Sequence, residues 1–523
     1  MKLLKPTFWP KLLIALLVLV EFGALIVGLL YLLNVVAIEQ NNEVTRAVIV
    51  VIFLANVGAS IYVINTHVPD VYKITWLFFV NALPILGLVF YIVFGNKQTS
   101  RSQKKRYVKW SKFVQRHVTS EVIMERLEQE RPQYLPLVRY IEKSAKDGAY
   151  DHSSVEYFPL GEDAFPHLIE DLKKAEHYIY LEFFIITPGK FWNSILDVLK
   201  EKAAKGVDVR VMYDDVGCLT TLPSHYDRYL RSLGIQCYPF EPFRPLVDIR
   251  MNNRDHRKIL VIDGHTCYTG GCNLADEYIN AEVRFGHWKD NMIRIRGNAV
   301  FGFTSMFLSY WQSITNGKEE LNLEAYRPEV YMNEIGGLPE TQGLVQPYGD
   351  LPYDGHAVGE SVYIRLIQNA RRYIYISTPY LLLDSAVIDA LTAAAHSGVD
   401  VHLLLPHVPD KTTVFHMSRS FYGPLLKSGC HIHEYTPGFV HEKTFVVDDE
   451  IATVGTINLD YRSLYLHSEC GTLLIGAPCI ADMKQDFIDT FAKSEEITME
   501  RWENWHTRHM SYWALLRILA PLM

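Results

Sequence analysis

Basic residues are in deficit in this chain: 51 lysines and arginines stand against 59 aspartates and glutamates, a formal net charge of −8 at pH 7. Nucleic-acid binders ordinarily carry a basic footprint, so the balance argues against broad nucleic-acid recognition. Cysteine is sparse and unpatterned. Its seven positions (Cys218, Cys237, Cys267, Cys272, Cys430, Cys470 and Cys479) are odd in number and contain no Cys-x-x-Cys, which signals neither a disulfide framework nor a cysteine-type zinc site. They read as buried free thiols on the reducing side of a membrane. A signal-peptide cleavage site is lacking too, because the first apolar run is too long for a signal h-region and no small-x-small site follows it.

At 523 residues the chain exceeds the usual domain size of roughly 100–200 residues, so two or more folding units are expected. Residues 12–33 carry one charge, Glu21, and are long enough to span a bilayer, which takes about 20 residues. Residues 48–64 form a shorter run interrupted by Asn56, and 74–94 make a full-length candidate. Lys2, Lys5 and Lys11 precede the first run; Lys97, Arg101, Lys104, Lys105, Arg106, Lys109 and Lys112 follow the last. The positive-inside rule places both flanks in the cytoplasm, which needs an even number of spans; if all three runs cross, the N-terminus lies outside and the denser basic cluster after the last run holds the large domain inside. The expectation is a membrane anchor of two or three apolar helices over 1–96, then a basic and polar linker over 97–150 that reads as helical from about residue 115. The basic cluster also suits anionic lipid head groups.

Two motifs of identical spacing follow. His256-Arg-Lys258-Ile-Leu-Val-Ile-Asp263 precedes Gly270-Gly271-Cys-Asn273, and His441-Glu-Lys443-Thr-Phe-Val-Val-Asp448 precedes Gly455-Thr456-Ile-Asn458. Repetition in one downstream register marks a bipartite site. The surrounding sequence repeats as well: Tyr178-Ile-Tyr-Leu is echoed by Tyr373-Ile-Tyr-Ile, and Gly206-Val-Asp-Val by Gly398-Val-Asp-Val. Each half reads strand, helix, strand, motif strand, an α/β pattern with a mixed sheet. The halves are assigned to 151–335 and 336–490, packed together. Residues 491–523, rich in aromatics and arginine, read either as an amphipathic helix on the membrane or as a packed terminal helix.

Histidine and lysine two positions apart on a strand project from one face, so a nucleophile stands beside a cation. Asp263-Gly264 and Asp448-Asp449 read as hairpin turns, giving both aspartates of the motifs the task of holding the returning strand. That strand brings Gly271 and Asn273, or Thr456 and Asn458, back toward the histidine as oxyanion-binding candidates. Two imidazoles and two ammoniums suit phosphodiester chemistry: one imidazole attacks phosphorus and the other protonates the leaving alkoxide, in two steps through a phosphohistidine. An attacking imidazole needs its other nitrogen held by an acceptor. Glu469, 28 residues after His441, and Asp290, 34 after His256, are the candidates, each for the histidine of its own half. No metal is expected, since lysine is a poor ligand and the spacing fits no zinc or magnesium pattern. His177, His265, His402, His407, His431 and His433 are read as structural, and Tyr178, Tyr180, Tyr373 and Tyr375 as sheet or core residues.

These residues resemble the phospholipase D superfamily and, more closely, the bacterial cardiolipin synthases. The likeness rests on both His-x-Lys-x4-Asp motifs, Asn252-Asn-Arg254, Asn273-Leu-Ala-Asp276-Glu-Tyr278, Trp288-Lys-Asp290, Thr378-Pro379-Tyr380, Asn458-Leu-Asp460-Tyr-Arg462-Ser463, the apolar run ending Phe94-Gly95 and the closing Leu519-Ala-Pro521-Leu-Met523. It implies two homologous phospholipase D-like halves preceded by transmembrane helices. The implied reaction transfers a phosphatidyl group from one phosphatidylglycerol to another, giving cardiolipin and glycerol at the bacterial cytoplasmic membrane without a cofactor. A hydrolase, or a transphosphatidylase using another alcohol, is the alternative. The resemblance assigns His256 as nucleophile and His441 as acid, and raises Glu182, Asp214 and Asp215 as pocket residues. Three positions depart from the family's commonest pattern: Thr456 replaces serine, while Asp255 and His467 replace asparagines. Asp255 is expected to add negative charge beside His256.

Overall fold

Asp263 and Gly264 adopt positive φ, 48° and 66°, and Asp448 and Asp449 repeat this at 55° and 64°. Those angles suit aspartate and glycine better than branched residues, and each pair reverses the chain between the two strands of a motif hairpin, Ile262 pairing with Thr266 and Val447 with Ile451. The computed structural model describes residues 43–95, 101–114, 119–242, 253–332, 336–353 and 355–522. Of these, 43–95 and 514–522 form one compact unit, and 101–242 with 253–513 the other.

The larger unit holds both halves. The first contributes β1 (Ser153–Phe158), β2 (Tyr178–Phe183), β3 (Asp208–Asp214), β4 (Gln236–Phe240), β5 (Lys258–Ile262), β6 (Thr266–Gly270), β7 (His287–Lys289) and β8 (Met292–Gly297). The second contributes β9 (Leu344–Asp350), β10 (Tyr373–Ser377), β11 (Asp400–Pro406), β12 (His431–Tyr435), β13 (Gly438–Val440), β14 (Thr444–Val447), β15 (Ile451–Gly455), β16 (Glu469–Ile475) and β17 (Ser494–Glu496). The sheet orders are β1-β8-β6-β5-β2-β3-β4 and β9-β16-β15-β14-β10-β11-β12-β17. Strand for strand the order is the same, with β17 added to the second edge. Both sheets are mixed, parallel from β2 to β4 and from β10 to β12, antiparallel elsewhere. Helices flank them, so the α/β class with two mixed sheets stands as expected.

Strands β2 and β5 are buried along their whole length, as continuous apolar runs covered on both faces must be. One face meets the helices Gly161–Lys174 and Lys190–Ala204 in an apolar core. The other shares a core with the second half, in which Ile259 and Val261 join Val446, Val454 and the helix Val300–Thr315. That helix is buried on nearly every side, and Gly302 sits so tightly on Pro347 that a Cβ would lie 2.9 Å from its ring. The halves are therefore one packed body.

The segment read as a linker contains the helices Arg101–Val114, Glu121–Glu130 and Leu135–Ala145. It is more than a spacer: Leu135, Leu137, Val138, Ile141 and Ala145 are buried at helical spacing, and Gln346 donates to the carbonyls of Val138 and Asp147. Trp502 of the C-terminal helix Met499–Leu519 is buried and donates to the Arg419 carbonyl at 2.9 Å, while Met510, Tyr512 and Leu515 are exposed. In the smaller unit the helices Glu43–Ile64 and Asp70–Ala82 pack together. The expected 74–94 run is divided, because Pro84 has no N–H and drives Leu83 out of helical conformation before Leu86–Phe90 resumes. No helix among the described residues is long and apolar enough to cross a membrane; the 12–33 run lies outside them.

Candidate active site

The segments that enter the two motif strands pair across the halves. Strand β13, just before His441, runs parallel to β7 of the first half, and the His441 N–H donates to the Lys289 carbonyl at 2.7 Å. Reciprocally, Asp255 bridges to Ser468, and the His256 N–H donates to the Ser468 carbonyl at 2.8 Å. Each histidine is thus delivered next to the residue that ends the other half's strand entry, Asp290 or Glu469.

This corrects the expected pairing, because the carboxylates are exchanged between halves. His256 Nδ1 lies 3.0 Å from both oxygens of Glu469, and His441 Nδ1 lies 2.6 Å from Asp290 Oδ2. Sequence offset measures distance along a half, whereas the two-fold packing turns each half's carboxylate outward to its neighbour. The small residues of the motifs hold those carboxylates. Thr456 Oγ1 donates to Glu469 Oε2 at 2.5 Å, and a Cβ on Gly271 would stand 1.9 Å from Asp290 Oδ1, so only glycine admits that carboxylate.

All of these groups are buried. His256 is pushed well below the ordinary imidazole range by burial, then by Lys258, His467, Lys443 and His441; residues of both motifs act on it together. Burial pushes Glu469 up to about 8 against the pull of Lys258 and the Thr456 hydroxyl. Burial thus disfavours charge on both partners of this hydrogen bond, and the contact to Glu469 fixes the imidazole through Nδ1 and leaves Nε2 as the ring nitrogen outside it. His441 is lowered to about 4 by burial and then by Lys443, with Asp290 opposing. Lys258 and Lys443 fall to about 7 and about 8, again through burial first, with Glu469 and Asp290 respectively pulling upward. Lys258 Nζ donates to the His256 carbonyl at 2.6 Å; Lys443 donates to the His441 carbonyl and lies 2.8 Å from His441 Nδ1. An ammonium has three N–H donors, so each lysine keeps capacity for an anion.

The remaining expected site residues lie around this centre. The Asp263 oxygens accept the N–H groups of Glu176, His177 and Tyr178 at 2.7–2.8 Å, and Asp448 accepts those of Arg371, Arg372 and Tyr373 at 2.7–2.9 Å. They fasten the start of β2 or β10, not the returning strand, because β2 and β10 flank the motif strands on the side away from the hairpin. Asn273 accepts from the Ile185 N–H and donates to Tyr278 Oη, and Asn458 Nδ2 donates to Asp460. The Asp255 charge is taken up by Arg257, whose Nε donates to it at 3.0 Å and whose guanidinium also pairs with Glu182. Asp255 therefore does not bear on His256 as expected. Asp214 accepts from the N–H groups of Val216, Gly217 and Asp255, a loop-holding task. Aromatic rings line the site: Phe184, which no motif marks, stands edge-on to His256 at 4.9 Å, and Tyr278 and Trp288 of the family-like stretches approach His441 at 5.4 and 5.6 Å. His467, 5.7 Å from His256, has no hydrogen-bond partner on either ring nitrogen among the described residues.

Two half-sites exchanging carboxylates around paired histidines and lysines define a phospholipase D-like phosphatidyltransferase. The family model described as cardiolipin synthase, phospholipase D-like domain, matches residues 168–299 and 363–491, and a phospholipase D-nuclease N-terminal model matches 54–96. A cardiolipin synthase of Alkalihalophilus pseudofirmus is 32% identical over 92% of this chain and 94% of its own length, and one of Geobacillus kaustophilus is 35% identical over 86% and 88%. The chain belongs to the cardiolipin synthase family. In solved structures its fold is similar to that of a phosphatidylserine synthase of Haemophilus influenzae, with TM-score 0.52 and 13% identity over 74% of this chain and 99% of that one.

Proposed function

We propose that this protein transfers a phosphatidyl group between two phosphatidylglycerol molecules, releasing glycerol and forming cardiolipin. The observation that carries the reading is the exchanged pair of histidine–carboxylate contacts with a lysine beside each. One site then holds two imidazoles of separate protonation control and two cations for one phosphodiester. His256 Nε2 attacks phosphorus, forming a P–N bond as the bond to the head-group glycerol oxygen breaks. His441 gives its proton to the departing alkoxide. The free-site value of about 4 for His441 rises when an anionic phosphate enters, because a nearby negative charge favours the imidazolium. In the second step the hydroxyl of another phosphatidylglycerol loses its proton to His441, its oxygen attacks phosphorus, and the P–N bond breaks. Lys258 and Lys443 stabilise the charge on the equatorial oxygens throughout. Asn273, Asn458, Gly271 and Thr456 shape the site through the contacts they make to its walls and carboxylates.

The run 12–33 and the apolar helices of 43–95 together anchor the chain in the cytoplasmic membrane, with the catalytic body of two halves on the cytoplasmic face against anionic lipid. Exposed Val50, Val51, Phe53, Leu54 and Ile61 support that reading, as do Met510, Tyr512 and Leu515 for the C-terminal helix. Purified protein given phosphatidylglycerol in mixed micelles should release cardiolipin and glycerol one to one. His256→Ala and His441→Ala should each lower the rate ~10³-fold or more, the scale on which removal of one member of a concerted catalytic set acts, with unchanged thermal unfolding. Phosphatidic acid as sole product would identify the hydrolase instead.

A further inference from the structure

Strand β11 carries Asp400 and His402 two positions apart, hence on one face, and the register sets His402 directly beside His431 of β12. Asp400 Oδ1 lies 2.9 Å from His402 Nε2 and 3.7 Å from His431 Nε2. One ligand atom from each of the three residues can be chosen with all within 4.8 Å of one another. Four tetrahedral ligands at zinc–ligand lengths of about 2.0–2.2 Å stand roughly 3.3 Å apart, which the two measured separations bracket. The other ring nitrogens are engaged. His431 Nδ1 lies 2.7 Å from Glu496 Oε1 of β17, and His402 Nδ1 lies 2.9 Å from His433 Nε2. Both Nε2 atoms face the same Asp400 oxygen, so a cation can take the place of the protons these groups otherwise share, and a carboxylate behind a ligating histidine is the usual support for it. Phe491 stacks on His433 at 4.4 Å and lies 5.2 Å from His402, fixing the rings. The Asp400 and His431 side chains are 52% and 43% exposed, so an ion has access and a water can complete the shell.

We propose that Asp400, His402 and His431 form a zinc site, separate from the catalytic centre, that ties β11 and β12 together and, through Glu496, the edge strand β17 that precedes the C-terminal helix. No covalent step is involved. The untagged full-length protein in detergent, dialysed against Zn2+ and assayed for bound metal, should take up one equivalent at this site, and Zn2+ should raise its unfolding temperature. Glu496→Gln should weaken the site ~10-fold, as loss of a supporting carboxylate does. The His402→Ala/His431→Ala double variant should lose both the equivalent and the thermal shift while keeping its transferase rate. His467→Asn is the control for His256, His467 and Glu469, whose ligand atoms also cluster, and it should bind zinc as the unaltered protein does. No uptake by the unaltered protein, uptake retained by the double variant, or uptake lost in His467→Asn would each overturn the proposal.

Discussion

At the scale of single residues, the site is governed by burial. Lys258 and Lys443, lowered to about 7 and about 8, are ammoniums below those values and lose protons above them. His441, near 4, is neutral above that value. The free protein therefore has its cations intact and its imidazoles neutral between roughly pH 5 and 7. Since kcat/KM reports free-enzyme ionisations, its value for phosphatidylglycerol should decline as pH rises through about 7 to about 8, where Lys258 and Lys443 lose their protons. The alkaline limb belongs to the lysines. A profile flat from pH 6 to 9 would show that their charge is not needed or not perturbed. Position 271 belongs to this scale too: a Cβ there would stand 1.9 Å from Asp290 Oδ1, so the carboxylate that serves His441 requires glycine.

Among elements, the aspartate of each motif acts on its hairpin's neighbour. Asp263 is buried and satisfies three backbone donors at the entry to β2. Removing a buried acceptor leaves donors unpaired at ~1–3 kcal/mol each. Asp263→Ala should thus lower the unfolding temperature by ~5 °C or more, on a scale of about 2–4 °C per kcal/mol for domains of 150–250 residues, and Asp448→Ala should do the same. Scanning calorimetry checks it. Wild-type stability with lost turnover would instead make these aspartates reacting groups. The motif strands, the hairpin turns at Asp263 and Asp448 and the order of elements in each half were legible because β periodicity and turn chemistry are local. The burial of Leu135–Ala145 was obscured by the charge of the residues before it, although its own apolar spacing carried the signal.

For the whole molecule, the exchange of Glu469 and Asp290 makes each half incomplete. Residues 1–335 and 336–523 produced separately should be inactive and poorly soluble, because each lacks the carboxylate for its histidine and exposes the face built on Val300–Thr315. Activity from either alone, in the phosphatidylglycerol assay, would contradict a shared site.

The sequence by itself determined the family, the duplicated α/β halves and the six histidine, lysine and carboxylate residues that meet at the centre, since repeated short-range spacing encodes strand faces and residue chemistry directly. Only the tertiary structure decided which carboxylate serves which histidine and that Arg257 absorbs the charge of Asp255. It alone brought His402, His431 and Asp400 onto one face of the second sheet. Those facts depend on register and on packing between segments up to 213 residues apart, and no local pattern in the chain carries them.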